Sequence, residues 1–146
     1  MDQLIKQLLA DTVALKFKAH GYHWNVEGDD FHQFHEFFSE IYEDYESAVD
    51  TLAEWLRKLG YTAPSDLLAF YNTTTVTESI DSKYGCDMAE DLLMSNDSVM
   101  VKLMNAVDIA TEAKQHALAN FFAERMDMHQ RWHWMLSATI KDEEME

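Results

Sequence analysis

The sequence predicts an all-α protein: a bundle of four long helices with a short helix between the second and the third. Three observations predict it. Glycine occurs only at Gly21, Gly28, Gly60 and Gly85, and Pro64 is the sole proline, so few residues interrupt a helix. Apolar residues recur at alternating three- and four-residue spacings over long stretches, which marks a helix face packed in a bundle. No stretch of useful length alternates apolar and polar residues as a half-buried strand would. The 146 residues suit a single domain spanning 1–146, long enough to bury a sizeable core.

The first helix carries Leu4, Ile5, Leu8, Leu9, Val13, Leu15, Phe17 and Tyr22 on a broad apolar face and ends near Gly28. The second runs from about Asp30 to Leu59. Its seam is Phe31, Phe34, Phe38, Ile41, Tyr45, Ala48, Leu52, Trp55 and Leu59, without a missed beat. Gly60 then stands where a helix end favours a left-handed residue. Ser65 to Tyr71, after Pro64, reads as a short connecting helix, and Thr73 to Val76 as connection. The third long helix covers roughly Asp87 to Lys114, with Leu92, Val99, Leu103, Ala106 and Ala110 inward. The fourth runs from about Ala117 to Ile140 and carries Leu118, Phe121, Met128, Trp132 and Met135. No glycine or proline marks the break between these two. The long link after the second helix leaves room for a crossover connection.

Charge bounds the partners. Acidic residues outnumber basic ones 27 to 11, a formal net charge of −16. Basic residues are scattered in clusters of at most two, so the surface repels a phosphate backbone and attracts cations. No apolar run approaches the roughly 20 residues of a membrane helix. The opening stretch lacks the charged start, apolar run and cleavage site of a signal peptide. Cys86 is the only cysteine, so no internal disulfide forms; it reads as a small buried or half-buried apolar residue. The expected location is the cytoplasm.

Seven histidines carry the chemistry worth weighing. His20/His23 and His32/His35 are spaced i, i+3, and His129/His133 are spaced i, i+4. A single such pair is usually solvated or hydrogen-bonded; a metal site needs converging partners. The hairpin between the first two helices supplies one convergence. His23 and His35 each lie six residues from Asp29, and residues equidistant from an antiparallel turn lie side by side. His20 and His32 mirror onto Phe38 and Val26 and find no metal-binding counterpart. On the second helix Asp50 and Glu54, spaced i, i+4, project together and away from the apolar seam. They form either a solvated acidic face or a grip for a cation. Imidazole and carboxylate together suit iron, zinc or manganese.

The stretch His23-Trp24-Asn25-Val26, with Gly28, Phe31, His35-Glu36, Asp50, Ala53-Glu54 and Leu59-Gly60, resembles the Dps family of mini-ferritins, most densely from Ala19 to Gly60. The order and lengths of the helices agree over nearly the whole chain, and Trp134-Met135-Leu136 is similar to the ending of some members. The resemblance implies a ferritin-like four-helix subunit assembled into a hollow dodecamer. Such a cage oxidises ferrous iron, usually with hydrogen peroxide, and stores ferric mineral. It implies that His23 and His35 face Asp50 and Glu54 of a second chain across a two-fold axis. There they hold iron as a di-iron pair or as iron plus water. Trp24 matches the family tryptophan beside the site, which supplies an electron; packing is its other reading, and packing is the reading for Trp55. Helix geometry agrees with a shared site, because fifteen residues separate His35 from Asp50, about 22 Å along one helix.

Three departures matter. Many members carry an aspartate where this chain has Ser39, a poor ligand for a hard cation; Glu36 and Glu40 are near but project differently. The region matching the family's aspartate-lined ion entrances reads Gln115, His116, Asn120 and Glu124. The lysine-rich tail through which some members bind DNA is missing, and the chain ends on the acidic Lys141–Glu146. Two other readings stay open: a DNA-compacting protein, opposed by charge, and a cage that has lost oxidation.

Overall fold

A computed structural model of the chain describes residues 1–141; the acidic ending at 142–146 lies outside the described residues. Five helices follow one another: α1 (Asp2–Asn25), α2 (Phe31–Lys58), the short α3 (Leu67–Thr73), α4 (Gly85–Glu112) and α5 (His116–Thr139). The described residues contain no strand, only an isolated bridge between Glu27 and Tyr84. The architecture is the all-α bundle that the spacing predicts. α1 packs along α2 and α4 along α5, and the two hairpins meet through α1–α4 and α2–α5 contacts.

The core is the sum of the inward faces. Phe34, Phe38, Ile41, Tyr45, Ala48 and Leu52 of α2 are buried as expected, but the seam then steps to Leu56 and leaves Trp55 half-buried. A strict three–four alternation averages 3.5 residues per turn, whereas a straight helix has 3.6, so the buried stripe drifts forward by a residue. All five inward residues expected on α4 are buried. On α5 Leu118 and Trp132 are buried, while Phe121, Met128 and Met135 are half-buried and Phe122 and Leu136 take the core positions. Two expectations fail outright. Phe17 is 53% exposed, because Leu15, Lys18 and Ala19 occupy the inward face around it. Cys86 is exposed, on the outer side of the first turn of α4.

Helix ends position the site. The turn between α1 and α2 passes through Gly28 at φ 116°. It is pinned to the start of α4 by the Glu27 amide, which donates to the Lys83 carbonyl at 2.9 Å. α2 closes on Gly60 at φ 92°, with the Tyr61 amide donating to Leu56 and the Gly60 amide to Arg57. That is a Schellman end. α3 is capped by Asp66, which accepts from the Ala69 amide at 2.8 Å.

The link from α3 to α4 is latched twice onto the bundle. Buried Asp11 pairs with Lys102 at 2.7 Å and accepts from the Thr74 hydroxyl and the Thr75 amide. Buried Lys18 pairs with Asp91 at 3.0 Å and donates to Thr77 and Ser95. The Tyr22 hydroxyl donates to Asp91 and accepts from the Ile80 amide. Burial, with Asp91 accepting its proton, pushes the Tyr22 phenol well above the usual range.

Candidate metal centre at the α1–α2 hairpin

His23 and His35 meet, as the mirror argument predicts. Their rings stack with centroids 3.8 Å apart and 14° between planes. Each ring is held by the other's backbone: His23 Nδ1 lies 2.6 Å from the His35 carbonyl oxygen, and His35 Nδ1 lies 2.7 Å from that of His23. A carbonyl only accepts, so both Nδ1 atoms carry hydrogen and donate. In the neutral imidazole this leaves the Nε2 lone pair free, and rings held in this tautomer suit ligation of a transition metal.

Asp50 and Glu54 are both exposed, on the outward side of α2 that sequence periodicity assigned them. One chain does not bring them to the histidines. Among the described residues no three His, Cys, Asp or Glu side chains converge in a way that would hold a metal ion. Ser39 is half-buried, one turn beyond His35, while Glu36 and Glu40 are exposed.

Trp24 is 62% exposed, so its ring is not core packing within one chain. Its ring meets that of His20 at 4.1 Å with a 40° tilt, and His20 stacks on Tyr42 at 3.9 Å with planes only 12° apart. The Tyr42 ring in turn lies 5.4 Å from His23, and His20 itself lies 6.1 Å from His23. Burial, and then the neighbouring Lys16 and His23, lower the His20 pKa, with Glu46 opposing. Sequence reasoning missed both His20 and Tyr42. Mirror pairing put His20 opposite Phe38, whereas the ring reaches one turn further to Tyr42. The usable signal was spacing: Tyr42 follows His35 by seven residues and so shares its face.

The other histidines serve elsewhere. His133 Nδ1 sits 2.9 Å from the Asp97 carboxylate on an exposed surface. His129, four residues before it, is buried in the bundle against Tyr45. His32 packs edge-on against Phe31, and His116 opens α5 exposed.

Comparison with known proteins agrees with this architecture. The model of the ferritin-like domain matches residues 2–145, and the chain belongs to that family. Its relatives place it in the Dps group of mini-ferritins. It is 28% identical over 138 residues to the "DNA protection during starvation protein" of Brevibacillus brevis, covering 94% of this chain and 93% of that one. Among solved structures, a Dps protein from Bacillus brevis superposes with a TM-score of 0.90 at 28% identity, over 94% of this chain and 93% of that one. Dps from Staphylococcus aureus superposes with a TM-score of 0.92 at 25% identity, over 96% and 94%. Membership supports iron storage of the ferroxidase type as the general class of function.

Proposed function

We propose that the chain forms a homo-oligomeric cage, a dodecamer, that oxidises ferrous iron with hydrogen peroxide and keeps the ferric product inside. The observation that carries this reading is the reciprocal His23–His35 clasp, which ties up both Nδ1 atoms and leaves the two Nε2 atoms available as ligands near the start of α2. Asp50 and Glu54 stand exposed towards the other end of the same helix. A two-fold axis that runs two α2 helices antiparallel would set one chain's histidines against the other's carboxylates, twice per dimer. The donor set of two imidazoles and two carboxylates fits iron. An apolar surface supports a partner too: Leu67, Leu68 and Tyr71 of α3 are each about two-thirds exposed or more, and α3 buries no residue within the chain.

In the reaction two ferrous ions each give one electron to peroxide. The O–O bond breaks, two protons are taken up, and two ferric ions and two waters result. The protein's part is to hold the ions together and orient the imidazoles; the iron does the redox work.

Complementation tests the shared site. One variant carries His23→Ala and His35→Ala, the other Asp50→Ala and Glu54→Ala. Each alone is expected to be inactive. In a mixed dimer one site loses all four ligands and the other recovers all four, so co-assembled protein regains ferrous oxidation. Confirmed co-assembly with no recovery would reassign the four residues.

A further inference from the structure

A two-fold pairing of α2 helices fixes a register along them, and the register singles out one residue. His35 of one chain stands level with the Asp50–Glu54 turn of the other, so the axis crosses α2 midway between them, at residues 43–44. Asp44 is already engaged: Arg125 holds it at 2.8 Å and the Trp132 indole donates to it at 2.8 Å. Glu43 is exposed, and among the described residues no base pairs with it. It stands seven residues before Asp50 and four after Ser39. At about 100° per residue it therefore shares the face of α2 that carries Asp50 and Glu54.

Side chains on a helix lean towards its N-terminus, and a long one covers the turn before its own Cα. That lean carries the Glu43 carboxylate back over Ser39, towards His35. The Ser39 Cα lies about 6 Å back along the helix axis, and a glutamate reaches one methylene further than an aspartate. The two Glu43 side chains of a dimer start near the axis, but their helices run in opposite directions. The carboxylates therefore diverge, each towards its own chain's histidines. Neighbouring acids do not reach the same place. Glu36 precedes Ser39 and leans away from it, Glu40 projects about 100° round the helix, and Glu46 lies two turns beyond.

Two ferrous ions side by side carry four positive charges, and Asp50 and Glu54 offset two of them. At the second position Ser39 offers a neutral hydroxyl where a hard cation wants an anionic oxygen. We propose that Glu43 supplies that oxygen and is a ligand of the second ferrous ion, reaching from the dimer axis to the site built on its own chain's His23 and His35. This rests on the iron-oxidising reading above. With both positions filled, each ion gives one of the two electrons that peroxide needs. A site holding one ion passes one electron, and peroxide splits into hydroxide and a hydroxyl radical. Glu43 thus sets whether the reaction is completed or releases the radical.

The test titrates the iron-free assembly anaerobically with ferrous iron in a calorimeter. Mass checks the assembly of each variant, and a spin trap reads hydroxyl radical once peroxide is added. Wild-type protein is expected to bind two ferrous ions per site in distinct steps. Glu43→Gln keeps the first step, loses the second and releases more hydroxyl radical for each ferric ion formed. Ser39→Asp added to Glu43→Gln restores the second step. Glu40→Gln, which removes the same charge one turn from the site, leaves both steps in place. Should Glu43→Gln not assemble, anomalous diffraction from wild-type crystals soaked anaerobically in ferrous iron decides: a Glu43 carboxylate oxygen is expected at ligand distance from the second ion. A single step in wild type, two unchanged steps in Glu43→Gln, an equal loss in Glu40→Gln, or a second ion ligated without Glu43 overturns the proposal and leaves the iron-oxidising reading standing. No ferrous binding, and no ferric iron above the uncatalysed control, removes both.

Discussion

His129 shows how much one residue in this bundle depends on protonation. It is 1% exposed, and its Nδ1 meets no partner among the described residues. Burial, and then the nearby Arg125 guanidinium, pushes its pKa down to about 3 from 6.5. The unfolded chain thus binds a proton here that the folded chain refuses. Stability from this residue is fully present above 6.5 and drains as pH falls from 6.5 towards 3, at up to about 1.4 kcal/mol per pH unit. Asp44 acts lower: burial alone would raise its pKa, but Arg125 and the Trp132 indole outweigh burial and lower it. Its contribution fades only below the ordinary carboxylate value. Denaturation midpoints between pH 7 and 4.5 should fall for wild type and fall less for His129→Leu; equal slopes would show that His129 is not the group responsible. Sequence singled out the His129/His133 spacing but could not separate a core imidazole from a surface one, because α5 rotates only about 40° between them. The hairpin pair was legible because a turn fixes what lies beside what. The Nδ1 clasp and the His20–Tyr42 stack were not, since they depend on side-chain direction rather than position.

At the scale of elements, α2 and α4 end on the same motif with different residues. The α4 end repeats the pattern seen at α2: the Gln115 amide donates to Ala110 and the Lys114 amide to Thr111. The left-handed position is Gly60 in one case and Lys114, at φ 61°, in the other. A side chain there crowds the carbonyl that follows it and costs about 1–2 kcal/mol, partly repaid because lysine loses less backbone entropy than glycine on folding. Lys114→Gly should therefore stabilise the protein by roughly 0.5–1 kcal/mol, and Gly60→Ala should destabilise it by about as much. Chemical denaturation of both variants checks this; a destabilised Lys114→Gly would mean that the Lys114 side chain makes a contact worth more than the strain. The same residue explains why this boundary carried no signal in the sequence. The elements themselves were legible, within two or three residues at each end, because apolar period and chain breakers specify them. The two latches on the α3–α4 link were not, since they join Asp11 and Lys18 to partners far along the chain.

The whole molecule is a cation-attracting body, and part of its small basic complement is already paired. Of its eleven basic residues, Lys6, Lys18, Lys102 and Arg125 pair with Asp2, Asp91, Asp11 and Asp44, and Lys18 and Arg125 are buried as well. The rest cannot outweigh a formal net charge of −16, and a symmetric assembly multiplies that charge with every copy. Binding to nucleic acid needs several cationic contacts that release condensed counterions. Sedimentation with linear DNA at neutral pH and physiological salt should leave the protein in the supernatant, in both iron-free and iron-loaded forms. Co-pelleting that weakens steeply as salt is added would reveal a basic surface created only on assembly. Co-pelleting that appears only with iron would instead point to bridging by the cation, since metal held between phosphates and this acidic surface needs no basic side chain.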